Sequence, residues 1–588
     1  MTRSFSVGAL IVAATASVAG QPPATTLEAV RKAVSAQEIQ DTLRAFDVDR
    51  TSGQQGERRA AQYLAQKLAD YGIEHRTYET RLYMSWPGAA TIAVGGATPL
   101  TIRGVTPAFG SSTPQGGLES DIVVLGEGRS LGPDVRGKIV VASGGGVSPD
   151  RALAVQRAGA AGLIQIDDGE IVHEMIATTI WGTPTTESAS RLPAIPIVGI
   201  KKSEGEQLLK SGAQRVRLST AVEQGWATAP LVVADVPGRS DDFLLVATHI
   251  DAWYRGMTDT AGTDASILEM ARVLQQHRSE LSRGIRFAWW PGHSFGRYAG
   301  STWYADRFWA ELDEHCVAYT NLDGAGRRGS RMDQVTAGGW PGIAEFSREF
   351  AKTLTGKTPE SSGRPGLFRP TRDSDSTFQG IGIPEFFIGV PGPPKGHPDV
   401  EPNGRISYWH TANDTLDKID IAALALDTEY RVAELYALGS TVTLPLRIGP
   451  IATAYQQAID ELAEAAGSGF ELASTRRAAE ALSSVATPLD AAPRPTDPAR
   501  VASLNRLLVR VTHRLNGTLY TRAGRFDQDP AGNVPVLPLL AGVRELAQMP
   551  ASSERRGFLE TELLRGRNAV EATLRESTEE IARFTAAR

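Results

Sequence analysis

Short apolar runs alternate with amphipathic stretches through the middle of the chain. The runs at 244–247, 285–290, 316–322 and 386–390 have the length and the flanking turns of buried strands. Between them, stretches such as 266–274 repeat apolar residues at helical spacing. Strands that alternate with helices are typical of an α/β fold with a mainly parallel central sheet.

The last quarter of the chain contains longer helical patterns. Apolar residues recur at helical spacing over 452–466, 475–485, 500–515 and 552–583, with a Pro-rich break at 488–498. This pattern predicts a separate helical domain over 446–588. Residues 118–225 instead read as a β-rich module, with strands predicted at 138–142 and 162–166.

The N-terminus has the pattern of a secretory signal. Arg3 precedes a mostly apolar or small stretch at 7–18, and Ser17, Val18 and Ala19 fit a small-residue cleavage site. No later run reaches the roughly 18 apolar residues of a membrane helix. We therefore expect a signal peptide at 1–19 and a secreted or periplasmic protein with no membrane span.

Length and composition limit the number of domains, the class of partner and the disulfides that the chain can have. A chain of 588 residues is too long for one core, so it should form two to four domains. A net charge of −6 gives no basic footprint for a nucleic-acid partner. Cys316 is the only cysteine, which excludes an intramolecular disulfide, and its strand-like setting predicts a core residue.

Chemically useful side chains follow the first of the central strands. His249 and Asp251 come where the strand 244–247 ends, and Asp259 precedes the helical pattern at 266–274. This places an imidazole and two carboxylates at the C-terminal edge of a sheet, where α/β folds carry their sites. Imidazole and carboxylate are ligands for Zn²⁺ or a similar divalent ion. The same residues could equally form a hydrogen-bonded loop pair.

The stretch 249-HIDAWYRGMTD-259 resembles the first metal motif of the M28 zinc peptidases, in the branch that contains glutamate carboxypeptidase II and the transferrin receptor. Residues 134–145, 150–168 and 193–200 resemble a protease-associated (PA) domain, and 504–524 resembles the helical dimerisation domain of the same branch. The resemblance implies a catalytic domain over 20–117 and 226–445, a PA insertion over 118–225, and a homodimer formed through 446–588.

The resemblance also implies a set of metal ligands. His249 matches the first zinc's histidine, Asp259 the bridging carboxylate, Asp323 the carboxylate that completes the first site, and His410 the second zinc's histidine. Asp251 matches the carboxylate that orients the first histidine. We therefore expect one or two Zn²⁺ ions, or another divalent metal, as the cofactor.

One motif departs from the family. The family has a Glu-Glu pair in which the first Glu takes a proton from the attacking water and the second binds the second zinc. Here 287-FAWWPGHSFGRYAGSTW-303 places His293 and Ser294 at those positions, with no carboxylate from 285 to 304. His293 could replace the missing ligand, or it could act as the general base, because the pKa of histidine lies near neutrality.

The altered motif allows a further interpretation. Gly292 to Gly296 fits the Gly-x-Ser-x-Gly nucleophile elbow, and Ser294, Asp323 and His410 follow in the order of a hydrolase triad. That interpretation leaves the cluster around His249 unexplained.

Four residues are candidates for substrate contact. Arg297 and Tyr298 directly follow the altered motif, and Arg369 and Arg372 lie in a stretch where the family has a substrate loop. The two arginines could bind a carboxylate through paired hydrogen bonds, or could form a solvated turn.

These observations predict an exported, metal-dependent hydrolase that cleaves peptide or amide bonds of small substrates at a non-standard site. The alternatives are a non-catalytic binding or scaffold protein on the same fold, and a metal-free serine hydrolase that uses Ser294.

Overall fold

A computed structural model describes residues 24–95, 99–126, 131–360, 374–532 and 535–587. Its strands are β1 (Glu74–Val94), β2 (Leu100–Val105), β3 (Leu118–Leu125), β4 (Ile139–Ser143), β5 (Gly162–Ile166), β6 (Ile197–Ile200), β7 (Arg215–Val236), β8 (Ser240–His249), β9 (Arg283–Trp290), β10 (Cys316–Asn321), β11 (Thr336–Gly339) and β12 (Phe386–Gly389).

The helices are α1 (Ala24–Lys32), α2 (Ala36–Ala45), α3 (Gln55–Asp70), α4 (Pro149–Arg157), α5 (Lys202–Lys210), α6 (Gly262–Gln276), α7 (His293–Gly296), α8 (Ala299–Arg307), α9 (Trp309–His315), α10 (Ala344–Thr355), α11 (Ile421–Ser440), α12 (Gly449–Ala466), α13 (Ala473–Ala491), α14 (Pro498–Tyr520), α15 (Val543–Leu546) and α16 (Glu554–Ala586).

Two long strands connect the halves of the sheet. β1 and β7 pair antiparallel over most of their length, with a register shift between Pro87 and Ala90. Beyond the shift, β1 pairs with β2, and the order β1-β2-β6-β5-β4-β3-β7 closes back on β1. The inserted β-rich module is therefore a closed barrel, and β2 and the second half of β1, which precede residue 118, belong to it.

The other halves of β1 and β7 lie in the catalytic sheet. There β7 pairs antiparallel with β9, whereas β9, β8 and β10 run parallel to one another. Along β8, Leu244 and Val246 enter one hydrophobic cluster, and Leu245 and Ala247 enter another on the opposite face. Burial on both faces explains why this strand reads as a continuous apolar run. The predicted α/β fold is confirmed.

The C-terminal helices form the predicted helical region. Residues of α12, α13, α14 and α16 share one hydrophobic cluster with the catalytic sheet. At the junction the rings of Trp340 and Tyr520 lie 4.8 Å apart, and Asn505 bonds the backbone at Val442 and Leu444. The C-terminal helices therefore pack on their own chain.

Two further expectations concern the chain as a whole. Cys316 is fully buried at the start of β10, as predicted for a core residue. Within the described residues, no helix combines the length and the apolar character that a membrane crossing requires. The predicted signal peptide at 1–19 lies outside the described residues.

Candidate metal centre

His249 is the last residue of β8, at the C-terminal edge of the parallel strands. Its Nδ1 lies 2.8 Å from the backbone oxygen of Asp251, so Nδ1 carries the proton and donates it. The other nitrogen, Nε2, is buried and makes no hydrogen bond. A buried imidazole nitrogen with a free lone pair is costly unless a cation occupies the space in front of it.

Two carboxylates face that nitrogen. Asp259 Oδ1 lies 3.5 Å and Asp323 Oδ1 4.0 Å from His249 Nε2. The second oxygen of Asp259 lies 3.0 Å from His410 Nε2, so the Asp259 carboxylate bridges the two histidines. The structure thus brings together all four residues that the resemblance implies as ligands.

The electrostatics of this cluster favour a cation. Burial alone would raise the pKa of Asp259, yet His410 and His249 hold it well below its usual range. Burial would lower the pKa of His249, but Asp259, Asp323 and Asp251 raise it to about 10. The carboxylates therefore recruit positive charge, which is a proton on the imidazole when no metal is bound.

Asp259 is held in place from the far side. Asp414 accepts hydrogen bonds from the backbone N–H groups of Thr258 and Asp259, at 2.9 and 3.1 Å, and from the Thr258 hydroxyl at 3.1 Å. Burial raises the pKa of Asp414 to about 7. Asp414 belongs to the same sequence motif as His410, but the motif alone does not reveal this role.

Asp251 acts on a different neighbour from the one predicted. Its carboxylate lies 3.8 Å from His249 Nδ1, and it is the Asp251 backbone oxygen that orients that ring. The carboxylate instead accepts from the backbone N–H groups of His293 and Ser294, both at 3.0 Å, and from the Ser52 hydroxyl at 2.6 Å. Asp251 thereby fixes the turn that carries the altered motif.

His293 lies beside His249 and Asp323. Its ring stacks on that of His249, with centroids 3.7 Å apart, and ring nitrogens of both lie within 4.8 Å of each other and of an Asp323 oxygen. The structure therefore groups His293 with His249 and Asp323. The resemblance instead predicts His293, if it is a ligand, on the side of His410.

Sequence reasoning missed the partner of His293. Asp375 is fully buried, and its Oδ2 lies 2.7 Å from His293 Nδ1, which donates to it. The Ser301 hydroxyl donates to the other carboxylate oxygen at 2.5 Å. The stretch 369–378 was considered for its arginines, although the Ser-Asp sequence within it was the useful signal.

Ser294 is not arranged as a nucleophile. Its Oγ is buried and makes no hydrogen bond. Asp323 lies with His249 and His293, and His410 lies with Asp259, so the proposed triad is not assembled. A serine nucleophile needs its base within hydrogen-bond reach.

The predicted substrate residues have different outcomes. Tyr298 lies with its ring 4.8 Å from that of His293 and 4.2 Å from that of Trp181 of the barrel. The Arg297 guanidinium lies 5.0 Å from the Tyr298 ring centre. Both residues have left-handed backbone angles, φ 51° at Arg297 and φ 68° at Tyr298. Arg369 and Arg372 lie outside the described residues.

Residues 232–432 match the sequence model of peptidase family M28, and residues 102–208 match that of the PA domain. The chain is an M28-family peptidase with an inserted PA domain. This confirms the predicted family, and with it a peptidase-like hydrolase that takes a divalent metal. The donor set fits that ion, because the orphaned His249 Nε2 faces carboxylate oxygens.

Curated relatives of this M28 protein include the probable lipoprotein aminopeptidase LpqL of Mycobacterium tuberculosis (strain ATCC 25618 / H37Rv). It is 25% identical over 431 residues, which cover 66% of this chain and 80% of that protein. The probable glutamate carboxypeptidase VP8 of Zea mays is 23% identical over 334 residues, or 45% of this chain. The alignment spans 46% of VP8, which is less than half of its length.

Solved structures share the fold of this M28 protein. The aminopeptidase from Aneurinibacillus sp. strain AM-1 superposes with a TM-score of 0.54 at 20% identity, covering 70% of this chain and 96% of that one. BSAP, a zinc aminopeptidase from Bacillus subtilis, gives 0.53 at 20% identity, covering 68% and 95%.

Proposed function

We propose that this M28 protein is a metal-dependent hydrolase of peptide or amide bonds in small substrates, with a histidine–aspartate pair in place of the family's Glu-Glu pair. One observation carries the proposal. The unpartnered Nε2 of His249 faces Asp259 and Asp323, and the ring of His293 stacks on His249 while its Nδ1 is held by Asp375.

His249, Asp259, Asp323 and His410 would hold the ion, with Zn²⁺ as the first choice because the BSAP relative is named a zinc enzyme. Such an ion supplies Lewis-acid polarisation of the scissile carbonyl and makes water a stronger acid. An ion that three of these residues bind would keep one position open for water, as catalytic zinc sites do.

His293 has the geometry of a proton acceptor. Asp375 takes the Nδ1 proton as its hydrogen-bond partner, which leaves the Nε2 lone pair to accept a proton from the attacking water. The buried carboxylate would stabilise the imidazolium that results. The same proton would then pass to the leaving amine, which restores the neutral ring.

A pair of variants tests these roles. We expect wild-type protein to hydrolyse chromogenic aminoacyl or dipeptidyl amides, to lose turnover on chelation, and to regain it with Zn²⁺. His293→Ala should retain bound metal by elemental analysis and lose turnover, whereas His249→Ala should lose both. Loss of metal from His293→Ala would make His293 a ligand, and a wild-type protein without metal would refute the proposal.

Two finer expectations are part of the proposal. Export is supported by the pattern of residues 1–19, and N-terminal sequencing of the mature protein should begin after Ala19.

A homodimer is supported by Phe558 and Leu564 on α16, which are 68% and 39% exposed. Phe558→Glu should yield monomers in light scattering, and an unchanged mass would place any dimer contact elsewhere.

A further inference from the structure

The inserted barrel reaches the metal centre through the segment that follows β5. The backbone N–H of Glu174 donates to the backbone oxygen of His410 at 3.0 Å. In return, His410 Nδ1 donates to the backbone oxygen of Glu174 at 2.6 Å. These two bonds join a candidate metal ligand to a domain that lies 236 residues earlier in the chain.

His173 strengthens the same junction. Its side chain is fully buried, and its Nδ1 donates to the backbone oxygen of Trp409, the residue before His410. Its Nε2 lies 3.2 Å from Glu401 Oε2, at the start of the loop that ends at His410. The imidazole of His173 therefore contacts both ends of the loop 401–410.

The loop requires such support. His410 has a left-handed backbone angle, φ 54°, which a non-glycine residue adopts only when its surroundings hold it there. The bond from Nδ1 to Glu174 also selects the tautomer and turns Nε2 towards Asp259, 3.0 Å away. A ligand that lost this bond could rotate away from the cluster.

A third contact ties the segment to the loop after His249. The hydroxyl of Tyr254 donates to Glu174 Oε1 at 2.8 Å. Tyr254 also has a left-handed backbone angle, φ 59°, and lies five residues beyond His249. The segment 173–174 therefore contacts the chain on both sides of the cluster.

We infer that the barrel segment 173–174 is a working part of the metal centre and that His173 is a positioning residue for His410. The barrel would then help to set the metal affinity of the centre. The inference depends on the proposed function, since it assumes that His410 binds the ion.

The test compares metal affinity in matched variants of the full chain. His173→Phe keeps a ring beside Trp409 and removes both hydrogen bonds. Metal-free protein would be titrated with Co²⁺ and followed by its visible absorption, with Zn²⁺ competition to obtain the Kd. We expect the Kd to rise about tenfold or more, as for other partners of ligating histidines, and the cobalt spectrum to change.

Two further variants separate positioning from general stability. Glu401→Gln should bind Co²⁺ nearly as wild type, because the amide keeps a hydrogen-bonding group of the same shape beside His173 Nε2. Thr183→Val removes a contact of the barrel with Tyr83, 3.4 Å long, and should leave the Kd unchanged. If His173→Phe fails to fold, Glu401→Ala replaces it, with the same expected direction.

The outcomes are distinct. An unchanged Kd and spectrum in His173→Phe, in a wild type that binds Co²⁺, would overturn this inference alone. Equal weakening by Thr183→Val would also overturn it, since the effect would then be that of domain docking. A wild type that binds no Co²⁺ would overturn both the inference and the proposed function.

Discussion

Replacing Asp375 by Asn is the sharpest probe of the altered site. Asn has the shape of Asp, so its amide oxygen can still accept from His293 Nδ1, and its amide nitrogen can face the Ser301 hydroxyl. The change therefore removes a negative charge from a fully buried position while keeping the packing. Its effect should measure how much that charge contributes to catalysis through His293, whose Nδ1 lies 2.7 Å from Asp375 Oδ2.

The magnitude follows from the bond that is weakened. A buried hydrogen bond to a charged group contributes roughly 1.5–3 kcal/mol. If this interaction is worth that much more when His293 carries a proton, then kcat should fall by roughly 10- to 150-fold. Among the described residues, the hydrogen bonds of Asp375 reach neither His249 nor Asp323, so bound metal should stay at the wild-type level.

The assay would measure kcat, KM and metal per chain on one chromogenic amide substrate. Ser301→Ala is the matched control, since it removes a donor to Asp375 at 2.5 Å and leaves the pair with His293 intact. We expect a smaller loss there. A folded Asp375→Asn protein with kcat within twofold of wild type would refute the reasoning, and parallel loss of metal would show that His293 is a ligand.

Three other variants test separate parts of the structure. Burial raises the pKa of Glu434 from 4.5 to about 7, so between these pH values the native protein keeps a proton that the unfolded protein loses, and wild-type stability falls as the pH rises. In urea unfolding, Glu434→Gln should be more stable than wild type by up to about 3 kcal/mol above pH 7 and by little near pH 4.5. A stability difference that does not change with pH would contradict this. Asp414→Asn turns an amide towards backbone N–H groups that now donate to a carboxylate, so Co²⁺ titration should show roughly tenfold weaker binding, and wild-type affinity would exclude the role. Gly382 has φ 85°, and an added Cβ would lie 1.9 Å from the backbone oxygen of His513; Gly382→Ala should therefore lower the melting temperature, and an unchanged melt would mean that this junction tolerates rearrangement.

The sequence allowed prediction of features that depend on local order along the chain. His249, Asp251 and Asp259 are close because a strand, a turn and a helix follow one another between residues 240 and 276. The strand and the helix are visible in the apolar periodicity of the sequence. Asp323 and His410 were found because their short motifs resemble those of a family. Neither kind of signal depends on knowing how distant segments meet.

The partners of those residues could not be predicted in the same way. Asp375 lies 82 residues from His293, and Glu174 lies 236 residues from His410. Each contact joins segments that are far apart in the sequence and meet only in the folded chain. An isolated Asp or His in such a loop has no periodic or spacing pattern that would distinguish it from a surface residue.

The charge of the site leads to a last prediction about the number of ions. Asp259 and Asp323 are the carboxylates that face the unpartnered His249 nitrogen, and together they balance one divalent cation. The imidazole of His293 adds no negative charge, and Asp375 is occupied by His293 and Ser301. A second ion would therefore gain no further carboxylate ligand from His249, Asp259, Asp323, His410 or His293. We expect elemental analysis of the dialysed protein to give about one equivalent of metal per chain, and two firmly held equivalents would show that a further anionic ligand completes the centre.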